Sequence, residues 1–92
     1  MAPERQLKWT KRALASLDDI VQFISTDKPQ AARKLAQAIR AKTEALQAAP
    51  GLGRELLPGI RELVVHRHYL ITYRVKPDRI EILQVWHTAR QR

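Results

Sequence analysis

From Thr10 onward, apolar residues return at the spacing of one helical face: Leu14, Leu17, Ile20, Val21 and Ile24, with charged and polar residues between them. Thr10 is placed to cap such a helix, which the pattern carries through about residue 26. The stretch "TDKPQ" then breaks and restarts the period, with Asp27 or Lys28 at the cap and Pro29 in the first turn, where its missing N–H costs nothing. A second stripe of Ala32, Leu35, Ala36, Ile39, Thr43 and Leu46 ends before "APGLGR". Two helices joined by so short a break predict an antiparallel hairpin. Ahead of it, residues 5–9, "RQLKW", suit a short strand.

After the glycines the period changes from helical to alternating. "IRELVV", "YLITYRV" and "RIEILQVW" are rich in β-branched and aromatic residues and are separated by "HRH" and "KPDR", which predicts an antiparallel three-stranded meander. Strand, helical hairpin and meander in that order define an α+β fold, one domain over residues 1–92, with the hairpin packed on one face of the sheet. Pairing Val75 with Ile80 across "KPDR" sets Tyr73 opposite Ile82, Ile71 opposite Gln84, Tyr69 opposite Trp86 and His68 opposite His87. The alternation then assigns Tyr69, Ile71, Tyr73, Ile80, Ile82 and Trp86 to the covered face. The uncovered face receives Val64, Leu70, Leu83 and Val85, with Arg74 opposite Glu81 and with His66, His68 and His87 gathered at one end. Arg67 at the turn and Arg90 beyond the last strand add a basic rim. An uncovered apolar strip of this kind marks a surface for a macromolecular partner.

Composition narrows that partner. The chain has 92 residues, no cysteine and a formal net charge of +8, and the excess is shared evenly between its halves. Such a charge favours an acidic partner: nucleic acid, an anionic membrane surface or a negatively charged protein segment. The opening residues lack the apolar stretch of a secretory signal, and no apolar run approaches the roughly 20 residues of a membrane span. The expectation is a cytoplasmic protein with no membrane partner. His66, His68 and His87 offer three nitrogens, but no cysteine or carboxylate stands ready to complete a tetrahedral site, so neither metal nor cofactor is expected. As isolated residues, histidines at a sheet edge are ordinary solvated turn residues.

The strings "LASLDDIVQFI", "P-x-A-A" at residue 29, "L-x-x-x-P-x-x-G-R" from Leu46, "GIRELVV", "YLITYRV" and "IEILQVWHTAR", taken in order, resemble the RelE/ParE superfamily of bacterial toxins, the toxin halves of type II toxin–antitoxin operons. The resemblance implies a β-α-α-β-β-β fold and a cognate antitoxin whose acidic C-terminal segment wraps the toxin. It also implies one of two activities. RelE-like members are ribosome-dependent messenger-RNA endoribonucleases, and commonly carry an arginine after the first tyrosine of the second meander strand; ParE-like members act on DNA gyrase and block replication. Here that position is Leu70. A leucine cannot stabilise charge at a phosphorus centre, and losing one preorganised donor of that kind costs about 10²- to 10³-fold in rate. The ending "VWHTAR" is similar to the ParE-type ending. The resemblance therefore implies a gyrase inhibitor that uses Arg61, Arg67, His87 and Arg90 to touch gyrase or the gyrase–DNA complex. The strip of Val64, Leu70, Leu83 and Val85 would then receive the antitoxin or part of the target. The alternative is a ribonuclease whose site is rebuilt from His68 and His87 as acid and base, with Arg67 or Arg90 holding the phosphate. A direct DNA-binding module is favoured by charge alone, and no helix-turn-helix pattern supports it.

Overall fold

A computed structural model describes residues 4–88. Strand β1 (Gln6–Trp9) leads into helix α1 (Lys11–Asp27), followed directly by helix α2 (Pro29–Ala45). A 3-10 turn at Pro50–Leu52 leads to β2 (Arg54–Leu57), β3 (Ile60–His66), β4 (Tyr69–Val75) and β5 (Arg79–His87). The expected α+β architecture is present: the helical hairpin lies on one face of a single sheet whose order is β1-β5-β4-β3-β2. The meander β3–β4–β5 is antiparallel, and β1 joins its far side parallel to β5. Thr10 caps α1 as expected, its hydroxyl accepting from the N–H of Ala13 at 3.1 Å. Pro29 opens α2.

One strand, β2, was not anticipated. Its four residues are exposed and too few to show alternation, but the turn that joins it to β3 is Leu57-Pro58-Gly59-Ile60, with Gly59 at φ 81°. Proline fixes the first central position of such a turn and glycine accepts the positive φ of the second.

The core lies between hairpin and sheet and contains Ala13, Ile20, Leu35, Ile39 and Leu46 from the helical side. The sheet contributes Val65, Ile71, Tyr73, Ile80, Ile82 and Val85. Here the register departs from simple alternation. Val75↔Ile80, Arg74↔Glu81 and Tyr73↔Ile82 pair as expected, but the ladder then slips past Leu83, giving Thr72↔Gln84, Ile71↔Val85, Leu70↔Trp86 and Tyr69↔His87. One extra residue in a strand reverses the facing of everything beyond it. Val85, expected on the open strip, is therefore buried in the core at 0 % exposure, while Trp86, expected in the core, stands opposite Leu70 on the open face. A second irregularity between Val64 and His66 brings Tyr69 opposite His66 and leaves Val65, at 3 % exposure, in the core.

Candidate target-binding surface

The face of the sheet opposite the hairpin is uncovered by any described residue. Val64, Leu70 and Trp86 stand side by side across β3, β4 and β5, and Leu56 of β2 joins them around a shallow hollow of about 390 Å³ that also borders Glu62, Thr72 and His87. Val64 is 61 % exposed. Trp86 is held in place by its indole N–H, which donates to Thr72 Oγ1 at 3.2 Å. Leu70 thus occupies the middle of the open face, and among the described residues bordering the hollow there is no lysine or arginine. Leu83 is half-buried where the ladder slips. Of the four residues expected on the strip, Val64 and Leu70 are on it and Val85 is not; Leu56 and Trp86 complete it.

At the turn end of the sheet, the rings of His68 and His87 stack with centroids 6.0 Å apart and planes at 25°. The rings of Tyr69 and His87 make a T-shaped contact at 4.9 Å and 87°. The backbone ties the same two segments, with the Thr88 N–H donating to the His68 carbonyl at 2.9 Å. Arg67 is exposed beside this stack. His66 is exposed at the same end of the sheet, opposite Tyr69, and the pair that stacks there is His68 and His87. Among the described residues, no cluster of three or more His, Asp or Glu forms that could hold a metal ion. Arg90 lies outside the described residues.

Arg61 has a different setting. It pairs with Tyr73 across the β3–β4 ladder and donates to the Gly53 carbonyl at 2.6 Å, which ties the loop after α2 to the sheet. Tyr73 completes the tie, and burial pushes its phenol pKa up from the ordinary 10.0, against the opposing pull of the Gly53 N–H and the nearby Arg61 charge. Arg54 on the edge strand β2 pairs with Glu62 on β3.

A larger cleft of about 760 Å³ lies beside β5, bordered by Arg12, Ser16 and Asp19 of α1 and by Gln84, Trp86 and His87. It exists because β1 pairs with β5 only as far as Trp9↔Ile82. Beyond that point α1 substitutes for the missing strand: Thr10 Oγ1 donates to the Ile82 carbonyl at 2.8 Å, and Ser16 Oγ accepts the Val85 N–H at 2.9 Å. The sequence pattern did not single out Arg12, Ser16, Gln84 or Trp86 as one group, since strand and helix positions meet here only through the slip at Leu83.

A helical hairpin over a five-stranded mixed sheet, with an uncovered apolar face and basic groups at its end, is the architecture of the RelE/ParE class of toxins. The family model described as "ParE toxin of type II toxin-antitoxin system, parDE" matches residues 7–92, and the chain belongs to that family. It is 38 % identical to Y4kP of Sinorhizobium fredii, covering 95 % of this chain and 92 % of that protein. It is 36 % identical to toxin RelE2 of Caulobacter vibrioides, covering 92 % of this chain and 97 % of that one. Among solved structures, the chromosomal ParDE toxin–antitoxin system of P. aeruginosa superposes with a TM-score of 0.78 at 35 % identity, covering 91 % of this chain and 96 % of that chain. The protein is accordingly the toxin component of a type II toxin–antitoxin system, and a cognate antitoxin is its family's partner. No helix among the described residues is long and apolar enough to cross a membrane.

Proposed function

We propose that this toxin acts in the bacterial cytoplasm by binding DNA gyrase or its complex with DNA, so blocking replication, and that it performs no phosphodiester cleavage of its own. The observation that carries the reading is Leu70. It occupies the centre of the open sheet face between Val64 and Trp86, and the described residues lining the hollow around it include Glu62, whose carboxylate is paired with Arg54, and no lysine or arginine. A ribonuclease needs a preorganised cation where charge develops on the phosphate; an apolar centre with a polar rim is suited to gripping a macromolecule. Arg67 and His87, with Arg90 following, supply the rim contacts to gyrase or its DNA, and the strip of Leu56, Val64, Leu70 and Trp86 takes the apolar part of the target or of the antitoxin. An acidic antitoxin segment complements the net charge of +8. The experiment is a pair of assays on purified toxin: gyrase supercoiling is inhibited while messenger RNA on translating ribosomes stays intact. Codon-phased cuts in that RNA overturn the reading.

One observation favours a second reading. His68 and His87 stack at 6.0 Å beside Tyr69, and two imidazoles in one place are the groups an acid–base cleavage of RNA requires. The relative named toxin RelE2 is compatible with it. On this reading His68→Ala and His87→Ala each abolish cleavage, with Arg67 or Arg90 holding the phosphate.

A further inference from the structure

The cleft beside β5 shares Trp86 and His87 with the open face and adds Arg12, Ser16, Asp19 and Gln84. Its wall is the indole of Trp86, its ends are Arg12 and Asp19 on α1, and Gln84 and His87 face it from β5. Arg12 and Asp19 are seven positions apart on one helix, about 10 Å along its axis, so the cleft carries a cation toward one end and a carboxylate toward the other. We infer that this cleft binds a single unstacked nucleotide of a DNA strand, with its base against Trp86 and its phosphate at the Arg12 end.

Each group has a reason to be there. An indole face accepts any base that has left its stack, the guanidinium of Arg12 matches phosphate oxygens in two-point fashion, and the Gln84 amide presents donor and acceptor to a base edge. Asp19 repels a second phosphate and so gives the site one direction. The helix itself gains nothing from Arg12: α1 has Lys11 and Arg12 in its first turn and no acidic residue there, a placement opposed to the helix dipole. An acidic peptide would meet the same cations, but a peptide adding as a strand needs the free edge of β5. The Val85 N–H on that edge is already taken by Ser16 Oγ at 2.9 Å, so the edge is closed to strand addition at the cleft, which Trp86 still borders. A base-paired nucleotide has no free face to offer, which restricts the ligand to an unpaired strand.

The inference deepens the proposed function and rests on it for the setting in which the toxin meets an unpaired DNA strand. Its test is a tryptophan-fluorescence titration of the full chain with a single-stranded oligodeoxynucleotide, with its duplex and with polyglutamate. The single strand is expected to quench Trp86 emission in a salt-sensitive way, and the duplex and polyglutamate to do so far less. Trp86→Ala, read by the anisotropy of a labelled oligonucleotide, is expected to weaken binding about tenfold or more, the usual loss when a stacking side chain is removed. Arg12→Gln, on an exposed helix position, should weaken it severalfold with unchanged helical circular dichroism. Equal binding of duplex, equal quenching by polyglutamate, or an Arg12→Gln variant that binds like the parent overturns the inference. Supercoiling assays on the same proteins separate the two claims. If the parent inhibits gyrase but Arg12→Gln binds the oligonucleotide like the parent, the inference fails while the proposed function stands. If the parent binds the oligonucleotide but leaves supercoiling untouched, the proposed function fails and the nucleotide site stands.

Discussion

Tyr73 and Gly53 are joined through a buried hydroxyl. The phenol accepts the Gly53 N–H at 2.9 Å and donates to the Pro50 carbonyl at 2.8 Å, so one side chain of β4 satisfies two backbone groups of the turn after α2. The motif "L-x-x-x-P-x-x-G-R" is therefore a folding device: Leu46 is buried in the core, Pro50 and Gly53 hold Tyr73, and Arg54 pairs with Glu62.

Gly53→Ala is expected to destabilise the protein by about 1–3 kcal/mol, as overpacking does, because its new methyl group would meet the Glu62 carbonyl and lie 2.7 Å from the Tyr73 hydroxyl. Gly51→Ala, two residues earlier, adds a methyl group with nothing within 4 Å and should leave stability almost unchanged. Urea unfolding of the two variants makes the comparison.

Tyr73→Phe leaves the Gly53 N–H and the Pro50 carbonyl without their partner, at a cost of about 1–3 kcal/mol at neutral pH. The parent also carries an alkaline sensitivity that the variant lacks. Because burial raises the phenol pKa above 10.0, the neutral phenol is the favoured form in the fold. Its stabilisation is fully present below the unfolded value and is lost as pH rises through the folded one. Stability curves of parent and variant should therefore converge above about pH 10; curves that stay parallel across that range count against the coupling.

Val85 and Val64 test the register. Val85 is fully buried and Val64 is 61 % exposed, so Val85→Ala should cost about 1–3 kcal/mol through lost burial and a residual cavity. Val64→Ala should stay within about 0.5 kcal/mol. Equal costs would return Val85 to the open face and restore the unbroken ladder.

That contrast also shows what was legible in the sequence. The hairpin followed from the spacing of Leu14, Leu17, Ile20 and Ile24, and its ends from Thr10 and Pro29, because caps and helical periods are local properties. The pairing of Arg74 with Glu81 was legible because the "KPDR" turn is adjacent. The slip at Leu83 was not, since "ILQVW" alternates acceptably in either register. What decides it is distant: Thr10 of α1 takes the Ile82 and Leu83 carbonyls and Ser16 takes the Val85 N–H. Everything beyond Leu83 inherits that choice, which is why Trp86 and Val85 exchanged faces and the cleft at Arg12 was missed. Strand β2 left a trace in Pro58-Gly59, but its exposed residues gave no pattern to join to it.

Arg67 separates electrostatic gripping from apolar docking. It is exposed in the turn between β3 and β4, beside the stacked His68 and His87, so Arg67→Glu should leave unfolding in urea unchanged within about 0.5 kcal/mol. If the rim steers an acidic surface of gyrase or its DNA, the reversal should weaken inhibition of supercoiling severalfold at low salt. The gap between parent and variant should then close as ionic strength rises and the Debye length falls from about 10 Å at 0.1 M toward about 3 Å at 1 M. Leu70→Ser provides the opposite case: it removes apolar area from the centre of the open face, so its loss of inhibition should persist at every salt concentration. A salt-independent effect of Arg67→Glu would mean that the arginine acts through the shape of the turn and that the basic end of the sheet is not a contact surface.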